Sequence, residues 1–64
     1  MCLSTVFARI EGQEDSKILE YVCNIRSDGE NITLTDVMGA ETVVKGQISS
    51  CDFVNNKVII LSNK

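Results

Sequence analysis

The sequence predicts an all-β protein, a small antiparallel barrel or sandwich of about five to six short strands with no substantial helix. An SH3-like barrel is one arrangement of this kind. The chain of 64 residues contains no proline, and its short runs rich in Val, Ile, Thr and Leu are separated by closely spaced turn signals. These signals lie at Glu11–Asp15, Ser27–Glu30, Val37–Ala40, Gly46 and Asn55–Asn56. The length predicts one small β domain over residues 1–64.

The first two runs are predicted strands because their side chains alternate in character. Residues 2–10 form the first run and residues 17–26 form the second. Successive side chains of a strand point to opposite faces, so the second run has one apolar face. Its inward residues are predicted to be Leu19, Tyr21, Cys23 and Ile25. Asp28–Gly29 then suits a two-residue type I′ hairpin turn.

The third and fourth runs continue the alternating pattern. Residues 31–35 follow the hairpin, with Ile32 and Leu34 predicted to point inward and two threonines outward. Residues 41–45 form the fourth run, which ends before Gly46.

The end of the chain holds two further runs. Residues 47–53 form the fifth, with Phe53 as its expected core anchor, and Asn55–Asn56 suits a type I′ turn. Residues 58–61 read Val-Ile-Ile-Leu and are apolar on both faces. Since a strand with two apolar faces needs cover on both sides, this run predicts a closed barrel, a dimer contact, or both.

The composition argues against several classes of function. The net charge is −3 and the six basic residues are spread singly, which disfavours nucleic acid and anionic membranes as partners. The chain has no histidine, no phosphate loop and no C-x-x-C pair, so we expect no enzyme activity. No apolar run approaches the roughly 20 residues of a membrane span, and no secretory leader is visible. Three cysteines without a scaffold pattern predict free thiols in a reducing cytoplasm.

Two groups of metal-binding residue types have simpler explanations. Glu11, Glu14 and Asp15 lack the ordered ligand spacing of a calcium loop and are interpreted as a solvated acidic turn. Cys23 lies on the apolar face of its run, and Cys51 alternates with Ser49 and Phe53, so we expect both thiols in the core as small hydrophobic groups.

Cys2 differs because it lies beside the α-amino group. An α-amine has an unperturbed pKa of about 7.7–8.0 and a thiol about 8.5, so a metal displaces both protons near neutral pH. The Cys2 thiolate joins with its own amine if Met1 is removed, or with the Cys2 amide and the Met1 amine if Met1 is kept. Square-planar sites that contain nitrogen suit Ni(II) or Cu(II). Two chain ends at a twofold axis would supply at least about four donors. A core cysteine at the start of a strand is the alternative interpretation.

Five segments carry a resemblance to a known family. They are the opening Met1-Cys2-Leu3-Ser4 and then, in order, Ile32–Asp36, Met38–Glu41, Gly46–Ile48 and Asp52–Ile60. Through these segments the chain resembles the CooT family of small nickel-binding proteins over nearly its whole length. The turn at Met38-Gly39-Ala40-Glu41 departs from the Phe-Gly-Glu-Glu associated with the family, which bears on the client enzyme and not on the metal site.

The resemblance implies a homodimeric all-β accessory protein, similar to a metallochaperone, that binds one Ni(II) per dimer. Cys2 is the residue that carries over as metal ligand, and carbon monoxide dehydrogenase or another nickel enzyme is the implied client. The alternative is a small β-barrel that binds RNA, a role also attached to related sequences. Small barrels often present nucleic-acid surfaces, but base stacking needs exposed aromatic side chains, and we expect at least two of Phe7, Tyr21 and Phe53 in the core. A structural dimer without a ligand is the third possibility.

Overall fold

Five strands form the fold in the computed structural model, which describes residues 3–62. They are β1 (Ser4–Arg9), β2 (Ser16–Asp28), β3 (Asn31–Asp36), β4 (Glu41–Asp52) and β5 (Lys57–Ser62). The strands close into a barrel in chain order. Neighbours along the chain pair antiparallel, whereas β1 and β5, which close the barrel, pair parallel. The predicted all-β barrel is therefore confirmed, and its closing pair is the one departure from an antiparallel sheet.

Side chains from four of the strands form the core inside the barrel. The buried cluster consists of Val6, Val22, Ile32, Leu34, Val58 and Ile60. Partly buried residues of β2 and β4 pack against it, namely Ile18, Leu19, Ile25 and Val44. The inward direction predicted for Ile32 and Leu34 is confirmed, since both are completely buried.

A bulge in β2 changes which of its side chains point inward. Ser4 pairs with Val22 and Val6 pairs with Leu19, so three steps along β2 match two along β1. Tyr21 carries the irregularity with a positive φ of 60°. As a result Val22 is 2% exposed, Tyr21 is 60% exposed and Cys23 is exposed. The predicted inward direction of Tyr21 and Cys23 is therefore wrong.

Gly46 lies inside a strand rather than between two strands. The runs predicted at 41–45 and 47–53 are the two halves of β4, which pairs first with β3 and then with β5. Gly46 has a φ of 151°, and a Cβ at this position would overlap the backbone carbonyl of Leu61. Glycine therefore allows β4 to bend where another backbone approaches closely.

The two predicted type I′ turns exist as turns but differ in detail. The β2–β3 loop is Gly29–Glu30, because Asp28 already pairs with Asn31. Gly29 has a φ of 64° and Glu30 is not in the positive region, which is typical of type II′ with glycine first. In the β4–β5 turn only Asn56 has a positive φ, of 55°. Asparagine tolerates this left-handed region better than most residues with a side chain.

The apolar strand β5 is covered on both faces except at Leu61, which is 45% exposed. Val58 and Ile60 belong to the core, and Ile59 is also buried on the opposite face. Ile59 faces Phe7 of β1 in register, and Lys57 places its Nζ 5.1 Å from the centre of the Phe7 ring. Barrel closure therefore accounts for most of the apolar character of β5. Among residues 3–62 no helix is long and apolar enough to span a membrane.

Candidate metal centre and adjoining groove

Cys2, the predicted metal ligand, lies outside the described residues 3–62. The start of β1 is well defined, because the Thr5 amide donates a hydrogen bond of 2.9 Å to the Asn56 carbonyl. Ser4 pairs with Val22 on the other side. The strand that follows Cys2 is therefore held between β2 and the β4–β5 turn.

A groove of about 400 Å³ opens beside the start of β1. We call it the Ser4 groove. Its apolar lining residues are Val22, Ile25, Ile48, Phe53 and Val58. Its remaining lining residues are Ser4, Cys23, Asn24 and Cys51. No charged side chain of the described residues lines the groove, so it offers an apolar surface with two thiols at the end of the barrel where β1 begins.

Both thiols of the groove are free and exposed, which contradicts the prediction that they lie in the core. Cys23 is turned outward by the β2 bulge, and its Sγ donates a weak hydrogen bond of 3.5 Å to the Asp36 carbonyl. Cys51 faces Val58 in register near the end of β4. A register shift between Ile48 and Ser50 interrupts the alternation of β4 before Cys51.

Phe53 lies at the rim of the groove and is not a core anchor. It is 76% exposed, and its neighbour Val54 is 90% exposed. The prediction failed because β4 ends at Asp52 and Phe53 begins the turn, where side chains no longer alternate between two faces. An exposed phenylalanine beside an apolar groove is a typical feature of a protein contact surface.

Asp52 organises the turn that carries Phe53. Its carboxylate accepts hydrogen bonds from the Val54 amide at 3.1 Å, the Asn55 amide at 3.1 Å and the Asn55 side-chain amide at 2.8 Å. These bonds, led by the one from the Asn55 side chain, lower the pKa of Asp52 below its ordinary value. The carboxylate therefore acts as a structural acceptor in this turn.

Two other aspartates also have structural partners. Asp36 Oδ1 accepts hydrogen bonds from the Met38 and Ala40 amides at 2.9 and 3.0 Å, which shapes the β3–β4 turn. Asp15 binds Arg9 through two hydrogen bonds of 2.9 and 3.0 Å. The hydrogen bonds from Arg9 lower the pKa of Asp15 below its ordinary value. Glu11 and Glu14 are exposed, whereas Asp15 is half-buried and paired with Arg9.

The donor chemistry near the groove restricts how a metal could be held. Among residues 3–62 no three His, Cys, Asp or Glu side chains come together as a metal site. The chain has no histidine. The nitrogen and sulfur donors proposed at the chain end fit Ni(II) by their chemistry, whereas the groove itself provides the two thiols of Cys23 and Cys51.

The aromatic side chains are more exposed than the sequence predicted. Tyr21 is 60% exposed and Phe53 is 76% exposed, so the expectation that at least two of the three aromatic residues lie in the core is wrong. Base stacking alone does not make an RNA surface, since phosphate contacts need Lys or Arg. The Ser4 groove has neither lysine nor arginine among its lining residues.

The groove was not predicted from the sequence because it depends on strand irregularities. Four consecutive residues of β2, Val22 to Ile25, line the groove, and the register shift between Val22 and Asn24 lies among them. The available signal was Val22 itself, a β-branched apolar residue on the face predicted to be polar.

Comparisons with known proteins agree with this fold. The family model described as "CO dehydrogenase accessory protein CooT" matches residues 1–61. A crystal structure assigned as CooT from Carboxydothermus hydrogenoformans matches with a TM-score of 0.86 and 21% sequence identity, and the alignment covers 98% of this chain and 100% of that one. At this identity the match supports the fold alone. A search among curated proteins finds no match.

The chain is a small five-stranded β-barrel whose first strand starts beside an apolar groove. The family model covers nearly the whole chain, so this chain belongs to the CooT family, whose description is that of an accessory protein of CO dehydrogenase.

Proposed function

We propose that this chain is a nickel-binding accessory protein, similar to a metallochaperone, which holds one Ni(II) per homodimer at its paired Cys2 residues. The observation that carries the proposal is Cys2 beside the α-amine in a chain that belongs to the CooT family. The family description names CO dehydrogenase, so a nickel enzyme of this kind is the proposed client.

The position of β1 supports a shared site at the chain end. Ser4 lines the groove, and Cys2 precedes it by two positions. Two residues reach at most about 7 Å, which supports the proposal that the metal site adjoins the groove. Two copies that meet there would bring two thiolates and two nitrogen donors to one ion.

The binding chemistry predicts a dependence on pH. Nickel must displace protons from an amine of pKa about 7.7–8.0 and a thiol of pKa about 8.5. Apparent affinity should therefore rise between about pH 6 and pH 8.5 and level off above, because fewer protons remain to be displaced.

A nickel titration of tag-free protein, with its N-terminus confirmed by mass spectrometry, tests the site. We expect a near-ultraviolet thiolate-to-nickel charge-transfer band that saturates at about half an equivalent per chain, as one metal per twofold dimer requires. Cys2→Ser should abolish the band, because it removes the thiolate. The matched control is Cys23→Ser/Cys51→Ser, in which both substituted residues are exposed and the band should persist.

Unchanged stoichiometry and affinity in Cys2→Ser would reject Cys2 as the ligand. Loss of the band only in the Cys23→Ser/Cys51→Ser variant would transfer the site to the groove thiols.

A further inference from the structure

The side-chain carbonyl oxygen of Asn56 is buried and has no hydrogen-bond partner in the described part of the chain. Among residues 3–62, Asn56 Oδ1 is the only buried side-chain nitrogen or oxygen left without a partner. A buried acceptor without a donor is costly, because it has given up its hydrogen bonds to water. The position therefore calls for a donor from outside residues 3–62.

The backbone of the β4–β5 turn does not require this side-chain amide. Asn56 has a φ of 55°, a left-handed conformation that glycine adopts at no steric cost. The backbone carbonyl of Asn56, and not its side chain, accepts the hydrogen bond of 2.9 Å from the Thr5 amide. Asp52 supplies the side-chain acceptor that shapes the turn. The orphaned oxygen is thus free for another purpose.

The start of the chain is better placed than its end to supply the donor. Thr5 is bonded to Asn56, and Cys2 precedes Thr5 by three positions, a reach of at most about 11 Å. The last residues of the chain follow Ser62. Since each strand residue advances about 3.3 Å, β5 carries Ser62 about 20 Å away from Asn56.

We propose that Asn56 is a positioning residue for the metal site, whose Oδ1 accepts a hydrogen bond from the terminal amine of the chain. That amine belongs to Cys2 if Met1 is removed and to Met1 if Met1 is kept. An amine has N–H groups both when it is protonated and when it binds a metal, so it can donate in either state. The inference rests on the proposed function in one respect, namely that the chain end holds nickel. It adds the residue that orients the nitrogen ligand.

The other polar groups near the start of β1 leave this role to Asn56. No charged side chain of the described residues lines the Ser4 groove. The Asp52 carboxylate already accepts three hydrogen bonds within its turn. Metal ligands are commonly oriented by hydrogen bonds to groups outside the ligand set, and loss of such a bond typically weakens metal binding about 10–100-fold.

A nickel titration of Asn56→Gly against a competing chelator tests the positioning role. Glycine keeps the left-handed backbone and removes the acceptor, so this variant should fold and bind nickel at least about tenfold more weakly than wild type. Asn56→Asp keeps an oxygen acceptor and tolerates the same φ, so it should bind nickel at least as tightly as wild type.

Asn55→Gly is the matched control for a general loosening of the turn. Asn55 is exposed, and its side chain donates to Asp52 rather than to the start of β1. This variant should keep the nickel affinity of wild type, because Asn56 Oδ1 remains in place.

NMR relaxation of the metal-free protein provides a measurement that does not involve nickel. The order parameter of the Leu3 amide should be about 0.85 in wild type, Asn56→Asp and Asn55→Gly. It should fall below about 0.6 in Asn56→Gly, because the chain end loses its anchor.

Three results would each overturn the inference. The first is equal nickel affinity in Asn56→Gly and Asn55→Gly, which would mean that a buried water satisfies Asn56 Oδ1. The second is a loss of affinity in Asn56→Asp as large as that in Asn56→Gly. The third is a Leu3 order parameter that does not change in Asn56→Gly.

The two proposals fail in distinguishable ways. A Leu3 order parameter that depends on Asn56, in a protein that binds no nickel, would reject the proposed function and keep Asn56 as the anchor of the chain end. Nickel bound at half an equivalent, with the same affinity in Asn56→Gly as in wild type, would reject the positioning role and keep the metal site.

Discussion

At the scale of single residues, Gly46 shows how one hydrogen in place of a side chain permits the barrel to close. A Cβ added to Gly46 would overlap the Leu61 carbonyl, whereas a Cβ added to Gly12, Gly29 or Gly39 would have no atom within 4 Å. Gly46 is also buried, and its amide donates a hydrogen bond of 2.9 Å to the Glu30 carbonyl. The bend of β4 therefore depends on the absence of a side chain here.

Gly46→Ala should destabilise the fold by about 3 kcal/mol or more, through backbone strain and overpacking together. Gly12 has a φ of 82° and open space around it. Gly12→Ala should therefore lower the free energy of unfolding by only about 1–2 kcal/mol. Urea unfolding followed by circular dichroism compares the two. Equal midpoints would show that β4 can shift away from Leu61 without penalty.

Asp52 is the second residue whose role is tied to its chemistry. Its pKa is lowered in the folded state by hydrogen bonds from Asn55 and Val54. A lowered pKa means that the ionised form contributes stability above the unfolded pKa of about 3.9, and that this contribution is lost as the pH falls through the lower folded value.

Asp52→Asn should therefore lower the urea midpoint at pH 7. The difference in urea midpoint between the variant and wild type should narrow as the pH falls below about 3.9. The other carboxylates are common to both proteins, so they cancel in the difference. Asp28→Asn, at the exposed end of β2, is the control substitution. A gap that stays constant from pH 7 to pH 2.5 would contradict the proposed role of the carboxylate.

At the scale of the elements, the irregularities of β2 and β4 separate what the sequence could predict from what it could not. The strands with regular alternation were predicted well: Ile32 and Leu34 of β3 are buried as expected. In β2 the apparent alternation of Leu19, Tyr21, Cys23 and Ile25 runs through the bulge. A bulge adds one residue without changing the local composition, so a single sequence gives little indication of it.

The candidate site was predictable in a different way. Cys2 was singled out because of its chemistry beside the α-amine, which depends on sequence position and not on the fold. The groove depends on register shifts in two strands and on a turn that begins at Phe53. These are tertiary features, so the apolar residues concerned were predicted to lie in the core.

The register of β2 can be tested by comparing neighbouring substitutions. Val22→Ala should destabilise the protein by about 2 kcal/mol, because it removes buried carbon atoms and leaves a cavity. Cys23→Ser should change stability by less than about 0.5 kcal/mol, since Cys23 is exposed. Urea unfolding of both variants measures the difference. A larger loss of stability in Cys23→Ser than in Val22→Ala would mean that Cys23, and not Val22, points inward as the sequence predicted.

At the scale of the whole molecule, the barrel leaves many large apolar side chains outside its small core. Among residues 3–62, seven apolar residues are buried, while eight large ones are exposed, including Tyr21, Met38 and Phe53. A chain of this size has a marginal core on its own. The homodimer proposed for the metal site would add apolar burial that the single barrel lacks, so stability and metal binding would both depend on protein concentration.

The parallel pairing of β1 with β5 also determines the order in which the molecule can be completed. Thr5 pairs with Lys57, so one edge of the first strand has no partner until the last strand exists. A ribosome needs about 3–10 seconds to advance from Thr5 to Lys57, and contacts between segments this distant form slowly. Of the five strands, β1 is thus synthesised first, and its pairing is completed last. During that interval, a nascent chain has β1 available but no closed barrel to hold it.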